Sequence, residues 1–596
     1  MQGKVDVLLG LQWGDEGKGK IVDFLTPQYD YIARFQGGPN AGHTIKFNEK
    51  EYVLRSIPSG IFQCKGKNII GNGVVFDPIV FKEELDRLIE ENDDKSLCDK
   101  IIISRHAHII IPTHKVLDEF IERYKANNKG KVGTTLKGIG PAYADKYSRI
   151  GLMMKDIFDK DFGIKYNDLA DLHRKEILMY ENALENDNNV YCDFFAHFSD
   201  LSSDLMKEDF KFYDAVKFIK ENIRVCDVSD YLNEELNNGK SVLAEGAQGT
   251  LLDIDFGSYP YVTSSHTISS GACVGLGVAP NKIGDVYGVF KAYCTRVGEG
   301  PFPTEVNGDS GREMREKGHE YGSVTKRPRR CGWLDLVALK KACQINGVTK
   351  LVMMKADVLD DFSLISACKS YTRRINNNEL CNDLEYEHFQ GWRQDISKCK
   401  TYEELPENFK KYVKYIEDYT GVEVFMISTG PDRENTIIKE NKSEKDMDKS
   451  ETKRDMNYIK NETKAPEYEN YPMNVETNKE YHIDAVSLED EKQYKNACYK
   501  MSDEHAEFRR KLNEVLSSLN DFLVVKNQNY GNSALNPVGI FSKGGAEDGI
   551  LRRMDDKLNR IKNSDVLRKN DIVDLMGYLA ILCINKNWTK FNEFVD

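Results

Sequence analysis

The sequence predicts an α/β protein: a large domain with a P-loop-like turn on a mainly parallel central sheet, then a charged linker and a small all-α domain. Three observations carry this. Across residues 1–438, Val/Ile-rich runs such as "NKIGDVYGVFKAY" and "GVTKLVMMKADVL" alternate with helical patterns, the signature of strands joined by crossover helices. The first apolar run, Val5 to Leu9, leads straight into Gly14-x-x-x-x-Gly19-Lys20, the spacing of a Walker-type phosphate loop. From Lys439 the text becomes "KENKSEKDMDKSETKRDMNYIKNETKAPEYENYP". That stretch is dense in both charges and cannot bury enough apolar surface to offset its ordering entropy. The expected organisation is therefore a domain over 1–438, a linker over 439–489 and a helical domain over 490–596.

Bulk composition narrows the function classes. A chain of 596 residues is too long for one ordinary core. A formal charge of −13 argues against a general nucleic-acid binder. No apolar run approaches the roughly 20 residues needed to span a bilayer, and "MQGKVDVLLG" lacks the apolar stretch and cleavage site of a signal peptide. The 13 cysteines, from Cys64 to Cys583, include no C-x-x-C pair, which reads as reduced thiols rather than disulfides or zinc ligands. The expectation is a soluble cytoplasmic protein with no membrane and no nucleic-acid partner.

The first loop, "LLGLQWGDEGKGKIVDFL", departs from a Walker loop in two ways. Ile21 stands where the Mg²⁺-binding hydroxyl is usual, and Asp15 and Glu16 place carboxylates in a turn suited to anions. Further along come "FQGGPNAGHTI" (35–45), "GNGVVFDP" (71–78), "VGTTLKGIGPAY" (132–143) and "EGAQGTLLDIDFGSYPYVTSS" (245–265). Glycine lets a backbone approach a ligand and turn its N–H groups inward, while Thr and Gln add neutral donors. One such loop is an ordinary turn; several in one domain point to a nucleotide site. "RPRRCGW" (327–333) then supplies Arg327, Arg329 and Arg330 on a segment stiffened by Pro328, and guanidinium groups are preferred forks for carboxylate and phosphate. Beyond the linker, Phe508, Leu512, Val515, Leu516, Leu519 and Phe522 keep a helical stripe, as do Ile572, Leu575, Met576, Leu579 and Cys583.

Taken in order, "WGDEGKGK", "NAGHT", "GTTxxGIGPAY", "EGAQGTLLDIDFGSYPYVTSS", "TRVGEGPFPTE", "RPRRCGWLD" and "STGP" resemble the adenylosuccinate synthetase family from residue 4 to about residue 438. The resemblance implies GTP-dependent joining of IMP and L-aspartate with Mg²⁺ as cofactor. In that reading GTP phosphorylates the 6-oxygen of hypoxanthine while Asp15 takes the N1 proton. His43 supports the transferring phosphoryl group, and the aspartate amine then displaces phosphate. Mg²⁺ would lie against Asp15 and the backbone carbonyl of Gly42, which makes a carboxylate in the loop tolerable.

The resemblance carries further roles. GTP would meet Gly14, Gly17, Lys18, Gly19, Lys20, Gly42, Thr44, Arg329, Lys355, Asp357, Ser428, Thr429 and Gly430, with Asp357 suited to the two guanine N–H donors. IMP would meet Asp15, Glu16, Lys18, Asn40, Ala41, His43, Thr135, Arg149, Gln248, Thr263 and Arg327. L-Aspartate would meet Thr325 and Arg327. Arg149 would reach into a neighbouring subunit, implying a homodimer.

The chain also departs from the family pattern. Val324-Thr325-Lys326-Arg327 replaces the usual "TTGR", and Leu136-Lys137 stands where Gly-Arg is common. A related phage enzyme acts on dGMP to make 2-aminoadenine precursors and tends to lack the catalytic Asp; with Asp15 present, IMP is the expected substrate and dGMP the alternative. The tail, with "NYGNSALNP", "RRMDDKLNRIKN" and "NDIVDLMGYL", resembles phage nucleotide-modification-associated domains and, more distantly, MazG-like pyrophosphohydrolases. Asp555, Asp556, Asp571 and Asp574 are its candidate Mg²⁺ carboxylates. The other reading is a partner-binding bundle with acidic helix faces.

Overall fold

VDVLLG at Val5–Gly10 (β1) is buried on both faces apart from a half-buried Asp6. A strand covered on two sides needs this nearly continuous apolar run, and parallel sheets supply the covering helices. The computed structural model describes residues 3–40, 42–47, 50–127, 132–187, 194–321, 328–376, 379–439, 546–562, 571–576 and 578–579. The chain divides into two units, Met1–Met456 and Asn457–Asp596.

In the first unit β1 is joined in one sheet by β2 (Tyr31–Arg34), β3 (Lys67–Ile70), β4 (Ile101–Ser104), β5 (Arg224–Cys226), β6 (Val242–Glu245), β7 (Ile283–Lys291), β8 (Lys350–Met354), β9 (Val424–Ser428) and β10 (Thr436–Ile438). Their spatial order is β10-β9-β8-β7-β1-β6-β2-β3-β4-β5. Every neighbouring pair is parallel except β9 with β10. The expected mainly parallel sheet is thus present. It also holds a point where the order reverses, at β1, with β6 on one side and β7 on the other. Ligands of such sheets bind in the crevice beyond the carboxyl ends of the strands at that point.

The helix Lys18–Leu25 starts at Gly17, whose φ of 95° is left-handed. Ile21 is fully buried and joins Val22, Leu25, Ile32 and Val289 in one apolar cluster. The missing Walker hydroxyl therefore has a packing reason: that position belongs to the core. The helices Pro112–Asn127, Ile139–Ser148 and Phe162–Asp187 are tied together by a buried polar knot. His114 Nε2 and His173 Nε2 each lie 2.9 Å from Asp145 Oδ2. His114 Nδ1 accepts the Ile111 N–H at 2.9 Å, so its Nε2 carries the proton given to Asp145. The knot fixes the helix that follows residues 132–138, and the Gly138 N–H is held by Asp118 Oδ2 at 3.0 Å.

One feature was absent from the sequence reading: an antiparallel hairpin, Leu364–Asn376 with Glu379–Gln390, which forms a separate small sheet with Leu334–Asp335. In the second unit, among the described residues, Ala546–Lys562 is a helix and residues 571–576 and 578–579 are helical. The linker from residue 440, the Phe508–Phe522 stripe, "NYGNSALNP" and Cys583 lie outside the described residues. Among the described residues no helix is long and apolar enough to cross a membrane.

Candidate active site

The loop after β1 turns on three residues of positive φ: Gly14 (84°), Asp15 (58°) and Gly17 (95°). Its two acids point to different places. Glu16 is fully buried, accepting the N–H groups of Gln12 (3.2 Å) and Gly14 (2.9 Å) and the Lys18 ammonium (2.5 Å). Space for that carboxylate exists because two neighbours lack side chains. A Cβ at Gly10 would lie 2.3 Å from Glu16 Oε2, and one at Gly249 would lie 2.5 Å from Oε1. Glu16 is therefore a brace inside the loop, and its carboxylate does not face the cavity as the sequence reading expected. Asp15 is 36 % exposed and meets Arg329 Nη2 at 2.8 Å.

Lys20 points across to the loop after β9, donating to Ser428 Oγ (2.8 Å), Gly430 O (2.8 Å) and Asn435 O (3.0 Å). Burial brings its pKa down to about 7, against the pull of Asp357 and Asp432.

The loops after β2 and β6 face each other. Gln248, itself at φ 55°, donates to Asn40 Oδ1 at 3.0 Å, and Gln36 donates to Ala247 O at 2.8 Å. His43 packs so tightly on the first loop that a Cβ at Gly19 would sit 2.7 Å from its own Cβ. Its Nδ1 is bonded to the Glu245 carboxylate, which also takes the Ser59 N–H (2.8 Å) and hydroxyl (2.5 Å). An acceptor-only partner at Nδ1 assigns the proton there and leaves Nε2 as an acceptor. Among the described residues Nε2 has no partner, and His43 lines the cavity. Burial lowers the His43 pKa, with Glu245 opposing it. Burial alone would raise Glu245, but His43, Arg34 and Ser59 bring it below the usual carboxylate value.

On the far wall Arg329 forks between Asp15 and Glu320 Oε2 (2.8 Å each). Asp357 follows Lys355 by two residues, and burial raises its pKa against the pull of Lys355 and Lys20.

These loops enclose a cavity of about 1210 Å³. Of the expected ligand-contacting residues, Gly14, Asp15, Gly17, Lys18, Gly19, Lys20, Asn40, Gly42, His43, Thr44, Thr135, Gln248, Thr263, Arg329, Lys355, Asp357, Ser428 and Gly430 all line it. Thr429 is buried behind it, its N–H bonded to Asn435 O at 2.9 Å. Arg149 ends the helix Ile139–Ser148 in a left-handed conformation and is exposed, and it is not among the residues lining the cavity. Ala41, Thr325 and Arg327, with Val324 and Lys326, lie outside the described residues. Glu245, Glu320 and Arg296 were not among the residues expected from the sequence. Arg296 also lines the cavity, with its guanidinium 5.4 Å from the Trp13 ring. In the second unit Asp555 and Asp556 are exposed, while Lys557 lies between Asp571 (3.2 Å) and Asp574 (2.7 Å). An ammonium thus sits where the sequence reading put Mg²⁺.

A sequence profile of adenylosuccinate synthetase matches residues 7–437. Adenylosuccinate synthetase of Azobacteroides pseudotrichonymphae is 52% identical over 447 residues, covering 73% of this chain and 100% of that protein. The Bacteroides fragilis enzyme is 52% identical over 445 residues, covering 73% and 99%. Among solved structures, the fully ligated adenylosuccinate synthetase of Plasmodium falciparum superposes with a TM-score of 0.65 at 39% identity, covering 74% of this chain and 100% of that one.

The Glu16 brace gives a stability prediction. Glu16→Ala strands the Lys18 ammonium, itself 3 % exposed, and two backbone N–H groups. Equilibrium denaturation should show a loss of about 3–5 kcal/mol. A loss no larger than that of a surface Glu→Ala control would mean that the brace carries no weight.

Proposed function

Because the chain belongs to the adenylosuccinate synthetase family, we propose a residue-level reading of that family's reaction for this cavity. The protein is a GTP-dependent ligase joining L-aspartate to IMP, with adenylosuccinate, GDP and phosphate as products and 6-phosphoryl-IMP between. One observation carries the residue assignment: Asp15 and His43 line the same cavity, the first a solvent-reaching carboxylate, the second an imidazole held from behind with Nε2 free.

The 6-oxo group of hypoxanthine is a poor leaving group until it is phosphorylated. Asp15 removes the N1 proton, which makes that oxygen nucleophilic toward the γ-phosphoryl group of GTP. With GTP bound, the phosphoryl charge in front and the Glu245 carboxylate behind Nδ1 favour the imidazolium of His43, whose Nε2–H then donates to the transferring phosphoryl group, a role worth about 10²–10⁴-fold. The amine of L-aspartate then attacks C6 and phosphate departs. Asn40, Gln248, Thr135 and Thr263 hold IMP, with Ala41 beside them; Glu16 acts only through Lys18. The glycine loop with Lys18, Lys20, Thr44, Ser428, Thr429 and Gly430 holds the GTP phosphates, while Lys355 and Asp357 hold its base. Thr325 and Arg327 take the L-aspartate carboxylates.

Mg²⁺ is proposed at Asp15 and the Gly42 carbonyl. The donors fit: both are hard oxygens, and the Asp15 carboxylate already takes a cationic partner, Arg329, at 2.8 Å. When bound, Mg²⁺ supplies charge neutralisation for the phosphoryl oxygens. The exposed Arg149, which does not line its own chain's cavity, supports a homodimer in which it serves the neighbouring site. We place the enzyme in the cytoplasm, a reading supported by free thiols at every cysteine among the described residues. In the tail, the carboxylates of Asp571 and Asp574 act as counter-charges for Lys557.

The direct test supplies GTP, Mg²⁺ and L-aspartate with IMP or dGMP in separate reactions and follows the succinyl-purine by mass. Product is expected from IMP and not from dGMP, with Asp15→Ala and His43→Asn each losing about 10²-fold or more in kcat. Product from dGMP alone would overturn the substrate assignment.

Glu245→Gln keeps the shape but weakens the anchor of His43. We expect kcat to fall about 10–100-fold with the KM for IMP little changed; a change confined to KM would remove Glu245 from the catalytic step.

The Lys20 pKa is brought down to about 7, so at pH 8 the amine is largely neutral and keeps only two of the three N–H donors that the ammonium places on Ser428, Gly430 and Asn435. An incoming phosphate anion raises that pKa, so nucleotide binding at pH 8 should take up protons, approaching one per nucleotide. Calorimetry in buffers of different ionisation enthalpy measures the uptake. Equal uptake in Lys20→Met would assign it to another group.

A further inference from the structure

Where the chain leaves the helix Asp309–Lys317, Glu320 buries its carboxylate completely and collects four donors. Oε1 accepts from Lys291 Nζ (2.9 Å), Lys355 Nζ (2.9 Å) and Tyr293 OH (2.7 Å), and Oε2 accepts from Arg329 Nη1 (2.8 Å). Burial would raise its pKa, but Lys291, Lys355 and Arg329 together hold it below the usual carboxylate range. Nothing in the reaction as derived above uses this group.

Its effect on Lys355 is specific. That ammonium has three N–H donors. One goes to Glu320 Oε1 and a second to Gly318 O at 2.6 Å. Among the described residues the third has no partner, and the side chain lines the cavity. The backbone completes the constraint, because Lys355 sits at φ 55° as the cap of the turn Ala356–Leu359 that carries Asp357. The outcome is a donor of fixed position beside a carboxylate acceptor.

We propose that Glu320 is a positioning residue for nucleotide specificity: by pinning Lys355 it presents one N–H that matches a 6-oxo purine and repels a 6-amino purine. The inference rests on the reading that Lys355 and Asp357 face the base of the nucleotide. A free lysine would swing into solvent when it met an amino group and so tolerate it. A pinned one leaves two donors facing each other, and a site with an unpaired polar group rejects the wrong ligand strongly. Asp357 acts separately, at the N–H donors of the base.

Inosine and adenosine triphosphates isolate the 6-position, since neither has a 2-amino group. In the full-length protein Glu320→Gln should lower the ratio of kcat/KM for ITP over ATP at least about tenfold, while the ratio for GTP over ITP, which reads the 2-amino group, stays unchanged. Ratios are insensitive to the fraction of protein folded. Because Glu320→Gln leaves the fully buried Lys291 uncompensated, the double variant Glu320→Gln/Lys291→Met removes that charge as well and should show the same fall. Lys355→Met is the control for the underlying reading. If Lys355→Met lowers the ITP/ATP ratio and neither Glu320 variant does, the proposal is overturned and the subsite reading stands. If Lys355→Met leaves the ratio intact, both fall.

Discussion

The carboxylate of Glu16 is the constraint on which the site depends. It occupies the space left by Gly10 on β1 and Gly249 in the loop after β6, and so joins the central strand to its neighbour beside the point where strand order reverses. With Gln12 and Gly14 N–H and the Lys18 ammonium bound to it, the loop has little freedom left. Asp15 is then forced outward at positive φ, and the helix Lys18–Leu25 begins where His43 packs against Gly19. An acid within an anion-binding loop looks self-defeating only if it faces the anion.

The same device occurs three times around the cavity. Glu16 stands behind Lys18, Glu245 behind His43, and Glu320 behind Lys355 and Arg329. Each carboxylate is wholly buried, and each holds a group that lines the cavity. A buried ion pair contributes little net stability relative to an apolar replacement. What it supplies here is orientation: long, flexible or tautomeric side chains are held at one place before any ligand arrives, so the ordering entropy is not lost at the moment of binding.

How legible this was in the sequence follows from the same geometry. Groups that line the cavity lie in short strings whose residue types betray their chemistry, so Asp15, His43, Lys355–Asp357 and the glycine turns stood out in local text as candidates. So was the parallel sheet, because two-sided burial demands continuous apolar strands such as Val5–Gly10. The supporting acids were not. Glu245 heads a quoted motif, but its partner His43 lies 202 residues away, and Glu320 serves Lys355 from 35 residues upstream. Long-range pairing of that kind has no periodicity to read. Glu16 was misdirected for the opposite reason: its neighbours in sequence face the cavity, and only the missing Cβ atoms of Gly10 and Gly249 turn it inward. The antiparallel hairpin from Leu364 escaped notice because its strands, LISACKSYTRRIN and ELCNDLEYEHFQ, interleave charged residues with apolar ones without strict alternation.

The pairing of Asp15 with Arg329 bears on how the protein behaves between turnovers. Asp15 and Arg329 lie 2.8 Å apart at the cavity wall, so each presents less of its charge to an incoming ligand than it would alone. Each member mutes the other. The resting cavity is in effect self-quenched, like a battery whose terminals are bridged, and bulk phosphate or water meets neither charge at full strength. A ligand that drew the two apart would free both charges at once, tying the charge the cavity presents to its occupancy.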